Sequence, residues 1–169
     1  NLSLIGVGLT LLAARLLDVI TDPLLGLMMD RFRNKLEFRY WAIIGLPCTS
    51  ISCYYLFFPA NDPTLRYLFG WSMMLYVGWT MLILPLYAWG AELSGTYHGR
   101  TRITGAREAA VVAGVLTACI IAATKDDISS TVEVIGICIL VLLFPTVLSA
   151  VILVPQPPQQ MDRYPPIVN

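Results

Sequence analysis

Two acidic residues and one arginine lie inside an apolar stretch long enough to cross a bilayer. Asp18 and Asp22 are four residues apart, so a helix places them on one face, with Arg15 one turn earlier on that side. A charge at the centre of a bilayer costs roughly 2.5–3.5 kcal/mol on insertion scales, so all three must face protein or water. Paired carboxylates can bind Na⁺ through oxygen, or one of them can bind H⁺. Alternatively, Asp18 pairs structurally with Arg15 and Asp22 caps a bend at Pro23.

The composition indicates a membrane protein. Hydrophobic residues make up 57% of the chain and charged residues only 13%, whereas soluble domains have about 25% charged residues. There is no basic domain and no aromatic–basic motif of the kind that binds nucleic acid. The expected surroundings are membrane lipids, and we expect no nucleic-acid partner.

Five apolar segments approach or exceed the ~20 residues that a helix needs to cross a bilayer. We therefore predict an all-α membrane protein with five transmembrane helices, followed by a Pro- and Gln-rich cytoplasmic tail or linker over 155–169. The predicted spans are 4–29, 40–58, 65–93, 103–124 and 131–154.

The distribution of cations predicts the orientation of these spans. Lys and Arg are concentrated in 30–39, in 94–107 and in the tail, whereas the alternate loops carry only Arg66 and Lys125. Cytoplasmic loops hold an excess of cations. The N-terminus is therefore predicted outside and the C-terminus in the cytoplasm, in a plasma or bacterial inner membrane.

The first motif follows the first span and reads G-x-x-x-D-R-x-R-x-K from Gly26. It resembles the cytoplasmic loop signature of the major facilitator superfamily, G-x-x-x-D-R-x-G-R-R. Gly26 is predicted to admit a neighbouring helix and Asp30 to face a helix N-terminus. Arg31 and Arg33 are predicted to hold an acidic helix end as a cytoplasmic gate, with Glu92 as partner. Alternatively, these cations only orient the chain.

The second motif reads R-x-x-D-x-x-x-D-P-x-x-G from Arg15. It resembles the second transmembrane helix of the glycoside–pentoside–hexuronide:cation symporter family, to which the sodium/melibiose carrier belongs. In that family both aspartates belong to the site of the coupling cation. The resemblance therefore implies that Asp18 and Asp22 bind Na⁺ or carry H⁺, and that Arg15 tunes them.

The third motif runs from Pro85 to the first turns of the fourth span, with R-T-R at Arg100 and R-E at Arg107. It is similar to the fourth helix, the next loop and the fifth helix of the same family. The resemblance implies that Arg107 serves the substrate or the cytoplasmic gate, and that Tyr87 lines the substrate path. Alternatively, Arg107 and Glu108 only cap the start of a helix.

One cation-site position matches the family and another does not. Thr80 corresponds to a threonine of the cation site, whereas Ile83 stands where the sodium/melibiose carrier has an acidic residue. One oxygen donor is present and one carboxylate is missing. This difference favours H⁺ coupling or uncoupled transport over Na⁺ coupling.

The resemblance covers essentially the whole chain as helices two to six of a twelve-helix carrier, a partial major-facilitator N-terminal bundle. It implies cation-coupled symport of a sugar- or glycoside-type solute by alternating access, with no cofactor besides the coupling ion. The expected partners are the solute, the first helix and the second six-helix half.

Two alternatives stay open. The chain is a related carrier for another solute, such as a lysolipid, or it is a truncated fragment that does not transport alone. A lysolipid carrier should have a slot open to lipid, whereas a sugar carrier should have a closed aqueous cavity rimmed by aromatic residues. We expect no enzyme, because HExxH, GxSxG and P-loop motifs are absent. Moreover, intramembrane aspartyl dyads draw their acids from two helices.

Overall fold

The computed structural model describes residues 3–32, 38–59, 63–92, 96–124 and 127–153. All the regular structure in these ranges is helical, and each of the five helices is long and apolar enough to cross a membrane. This confirms the predicted all-α bundle with five transmembrane helices. The tail over 155–169 lies outside the described residues. The helices are α1 (Leu4–Phe32), α2 (Phe38–Phe57), α3 (Leu65–Glu92), α4 (Tyr97–Thr124) and α5 (Ile128–Leu153).

Polar residues at the N-caps set where several helices begin. The Gly99 N–H donates to Thr96 Oγ1 at 3.3 Å, and α4 accordingly begins at Tyr97 rather than at the predicted 103. The side chain of such a residue satisfies a backbone N–H that the first turn of a helix leaves unpaired. The apolar segment alone does not include this polar first turn. Comparable caps come from Ser3, Thr64 and Asp127.

The third helix is the centre of the bundle. The most extensive helix contact joins α2 to α3, followed by α1 with α3 and α2 with α5, whereas the contacts of α4 with α5 and α3 are small. A buried apolar cluster joins α2, α3 and α5 through Ala42, Leu82, Val147 and Val151. The predicted site residues of α1 and α4 therefore belong to helices that contact α3, which carries the remaining site residues and packs against α2.

Two glycines allow the backbones of α2 and α3 to approach closely. A Cβ added to Gly78 would lie 2.8 Å from Thr49 Oγ1 and 2.9 Å from the Thr49 backbone nitrogen. A Cβ added to Gly45 would lie 3.0 Å from the Gly78 carbonyl oxygen. In lipid, where apolar area alone gives no drive to associate, such small residues provide the contact.

Gly26 has open space around it in the part of the chain that the structure describes. No described atom lies within 4 Å of where its Cβ would be. The principal neighbour of α1 is α3, and a single neighbour covers only part of a helix surface. The approach of another helix to Gly26 stays a prediction.

The Gly78→Ala variant tests the α2–α3 contact. Because the new methyl group meets the Thr49 backbone, we expect the free energy of unfolding to fall by about 1–3 kcal/mol, as in an overpacked core. Reversible unfolding in detergent micelles, followed by circular dichroism, measures this change. The matched control is Gly70→Ala on the same helix, where the added Cβ meets open space. Equal stability of the two variants would contradict the assignment.

Candidate functional site

Arg15, Asp18 and Asp22, here called the acidic stripe of α1, face α3. Asp18 is only 7% exposed, and Ala14, one turn earlier on the same face, is fully buried. Arg15 and Asp22 are exposed, but each contacts a side chain of α3. The arrangement agrees with the rule that intramembrane charges face protein or water.

Arg15 satisfies only one oxygen of the buried carboxylate. Its Nη1 lies 3.0 Å from Asp18 Oδ2, while 67% of its own side chain stays exposed. The second oxygen, Asp18 Oδ1, is buried and has no hydrogen-bond partner among the described residues. A buried polar atom without a partner costs about 1–3 kcal/mol, and more if it is charged. The salt bridge with Arg15 therefore satisfies one oxygen of this carboxylate and leaves the other oxygen able to bind a cation or a proton.

Asp22 connects α1 to α3. The hydroxyl of buried Thr80 donates to Asp22 Oδ1 over 2.6 Å. This bond crosses between two helices, and α1 continues without a break through Pro23. The observed partner of Asp22 is thus Thr80, and no bend cap at Pro23 is needed to explain its position. Two of the predicted cation-site residues, far apart in sequence, are in direct contact.

The two carboxyl groups also interact with each other. Asp18 and Asp22 lie one helical turn apart on the same face of α1, so their charges repel each other when both are ionised. In surroundings of low dielectric, two neighbouring carboxylates are stabilised by a shared proton or by a cation between them. Asp22 is exposed, whereas Asp18 is buried. The pair therefore provides an accessible carboxylate next to a buried one with an open position.

Sequence reasoning missed Tyr76. The Arg15 guanidinium carbon lies 4.9 Å from the centre of the Tyr76 ring, which is half-buried in α3. An arginine over a tyrosine face is a favourable cation–π arrangement. Tyr76 is one helical turn from Thr80, so the two share a face of α3. That spacing was the available signal, but a tyrosine inside an apolar span has no signature of its own.

Tyr87 and Arg107 form a second group. The Arg107 guanidinium carbon lies 4.2 Å from the centre of the Tyr87 ring, and its Nε and Nη2 donate to Glu108 Oε1. Because α4 begins at Tyr97, Arg107 is well inside the helix. The alternative that Arg107 and Glu108 cap a helix start is therefore wrong.

The two groups lie along one face of α3. Tyr76 and Tyr87 are eleven residues apart, which is close to three full turns and about 16 Å along the axis. The face between them includes Thr80. α3 thus carries one aromatic–arginine pair with α1 and another with α4, and the contact with Asp22 lies between them.

The predicted cytoplasmic gate is described only in part. Asp30 and Arg31 are exposed near the end of α1 and form no ion pair with other described side chains. Arg33 lies outside the described residues. Glu92 ends α3, but its side chain is not among those described. The expected contact of Glu92 with Arg31 or Arg33 stays a prediction.

The comparison with known families covers nearly the whole chain. No solved structure matches it. The family model for MFS/sugar transport protein matches residues 1–161. With five helices of membrane-crossing length, this match shows that the chain belongs to the MFS/sugar transport protein family of the major facilitator superfamily, and is a multi-pass membrane transport protein.

Proposed function

We propose that the chain belongs to a cation-coupled symporter of the glycoside–pentoside–hexuronide type, which carries a sugar- or glycoside-type solute. The observation that carries the proposal is the buried Asp18 Oδ1, which lacks a partner within the described structure and lies one helical turn from Asp22 on the same face of α1. A structural salt bridge has no need of an open carboxylate oxygen. A site that repeatedly accepts and releases a cation does need one.

The three residues of the acidic stripe and Thr80 of α3 each have a role in this proposal. The coupling cation reaches exposed Asp22 from water and binds between Asp22 and Asp18 Oδ1. Thr80 holds the other side of Asp22 through its hydroxyl. Arg15 occupies Asp18 Oδ2 and moderates the negative charge that the cation meets. When bound, the cation neutralises the negative charge that Arg15 leaves on the two acids.

Coupling to the solute runs through α3. Cation binding changes the charge at Asp22, which is bonded to Thr80 of α3. The same helix carries Tyr87, whose ring holds Arg107 of α4. We propose that the solute binds along this face of α3, with Tyr87 and Arg107 as contacts. A first helix and a second six-helix half complete an alternating-access pathway around it.

The described donors are fewer than a typical Na⁺ site requires. The site offers oxygen donors from Asp18 and Asp22 of α1 and from Thr80 of α3, while half-buried Ile83 stands where a further acid would be expected. H⁺ needs only one carboxylate, so we place H⁺ ahead of Na⁺ as the coupling ion. The membrane is proposed to be the cell membrane, with the N-terminus outside.

The central experiment measures uptake by the complete carrier in proteoliposomes, with Na⁺ and H⁺ gradients imposed separately. A radiolabelled glycoside panel first identifies a transported solute. Uptake that rises with one gradient identifies the coupling ion. Uptake driven by neither gradient would refute the proposed coupling.

The Asp18→Asn variant removes the charge at the open oxygen. Asparagine carries no charge for Na⁺ and takes up no proton near neutral pH, so we expect the variant to lose its binding of the coupling cation. Cation-driven uptake should disappear while the amount of protein in the membrane stays unchanged. The control is Glu133→Gln, which removes an exposed acid of α5. Coupled uptake that persists in Asp18→Asn would remove the assignment.

The Thr80→Val variant tests the bond between the helices. Valine keeps the shape of threonine but cannot donate to Asp22 Oδ1. We expect the half-saturating concentration of the coupling cation to change by about threefold to tenfold, since a hydrogen bond contributes about 0.5–1.5 kcal/mol. Thr80→Ser retains a hydroxyl and should stay close to the unchanged protein. If serine and valine behave alike, the hydroxyl is not part of the site.

A second candidate solute is an amphiphile such as a lysolipid. A shallow, open cleft of about 380 Å³ lies between α1 and α3 near their first turns, lined by Leu9, Thr10, Ala13, Leu65, Arg66 and Phe69. Its lining is largely apolar with one cation, which suits an acyl chain and an anionic headgroup. This cleft is the observation that favours the second candidate.

Competition separates the two solutes. With the identified glycoside as the labelled substrate, we expect unlabelled glycosides to reduce its uptake and lysophosphatidylcholine below its micellar concentration to leave it unchanged, because the proposed contacts are polar and aromatic. Leakage of a trapped dye serves as the control for damage to the vesicles. Inhibition by the lysolipid without leakage would favour the amphiphile carrier.

A further inference from the structure

Tyr76 restrains an arginine that would otherwise be free to move. The Arg15 side chain is 67% exposed and makes one ion pair, from Nη1 to Asp18 Oδ2. An exposed arginine pair of this kind is worth little by itself, because holding a long side chain in one geometry costs entropy. The same guanidinium lies over the face of the Tyr76 ring, with 4.9 Å between the guanidinium carbon and the ring centre. The group is thus in contact with Tyr76 of α3 as well as with Asp18.

The position of Arg15 determines how much negative charge Asp18 presents. A guanidinium at Oδ2 is an internal counter-ion that opposes the binding of any other cation at Oδ1. If Arg15 moves out to water, Asp18 keeps its full charge beside Asp22. The groups that face Asp18 are Arg15 and Asp22 of α1, with Thr80 and Tyr76 reaching them from α3. Among these, Tyr76 acts on Arg15 rather than on the acids.

We propose that Tyr76 is a positioning residue that keeps Arg15 on Asp18 and thereby weakens the binding of the coupling cation enough for rapid release. This inference rests on the proposed function, since it requires that a cation binds at Asp18. The effect of Tyr76 is on the balance between binding and release, because a cation held too tightly is released slowly.

The experiment compares Tyr76→Leu, which removes the aromatic face, with Tyr76→Phe, which keeps it. Uptake by the complete carrier in proteoliposomes is measured against the external concentration of the coupling ion, Na⁺ at fixed pH or H⁺ without Na⁺. For Tyr76→Leu we expect the half-saturating concentration to fall about twofold to fivefold, the equivalent of an exposed cation–π contact. The maximal rate should fall as well. Tyr76→Phe should match the unchanged protein in both values.

A double-mutant cycle separates this role from packing. Arg15→Gln removes the group that Tyr76 holds, so adding Tyr76→Leu to Arg15→Gln should not lower the half-saturating concentration further. Trp79→Leu is the matched control, because Trp79 is an exposed aromatic residue of the same helix. It should leave the half-saturating concentration unchanged. If Tyr76→Leu does not reach the membrane, Tyr76→Met serves in the same comparison.

Two results would overturn the inference. In one, Tyr76→Leu lowers only the maximal rate and leaves the half-saturating concentration unchanged, as a purely structural residue would. In the other, the effects of Tyr76→Leu and Arg15→Gln add. Failure of the proposed function looks different, because coupled uptake would then persist in Asp18→Asn. If Asp18→Asn abolishes coupling and Tyr76→Leu leaves the half-saturating concentration unchanged, only the role of Tyr76 is refuted.

Discussion

A carboxylate inside an apolar bundle is stable only if something nearby carries positive charge or donates a proton. Asp18 has such a partner at one oxygen, Arg15, and none at the other among the residues described. This difference between the two oxygens of Asp18 also involves the residues around it. Asp22 adds a second carboxyl group one turn away, Thr80 gives Asp22 a hydrogen bond, and the Tyr76 ring contacts the arginine. Under the proposed function, the Asp18 oxygen that has no partner among the described residues receives the coupling cation.

The third helix makes those compensations possible. Its close contact with α2 depends on Gly78 and Gly45, which bring backbone against backbone. On another side it presents Tyr76, Thr80 and Tyr87 to the polar residues of α1 and α4. A helix anchored on one side can place hydroxyl and aromatic groups with the precision that hydrogen bonds require. α3 therefore provides both the close glycine packing against α2 and the side chains that contact the polar residues of α1 and α4.

The sequence predicted much of this structure, and the failures have physical causes. Apolar length predicted five helices, and the 3.6-residue period placed Asp18 and Asp22 on one face, because both signals are local. α4 begins ahead of the predicted apolar span, since Thr96 caps a polar first turn that hydropathy does not register. The role predicted for Gly26 stays a prediction, because helix contact depends on a neighbour that no local pattern reveals. Thr80 was found only through a family resemblance. Tyr76 was missed because its role exists only once α1 and α3 are brought together.

The charges of the stripe also bear on how a coupled cycle would proceed. Asp18 and Asp22 carry two negative charges when ionised and Arg15 carries one positive charge, so one negative charge remains. Under the proposed function, one monovalent cation makes these three side chains neutral overall. The carrier then changes between its two open states more easily than it would with an uncompensated charge in its apolar interior. Without the cation, the remaining charge opposes that movement. Under the proposed function, Arg15 thus has a second effect besides moderating affinity, because it reduces the charge of the two acids to one that a single cation neutralises.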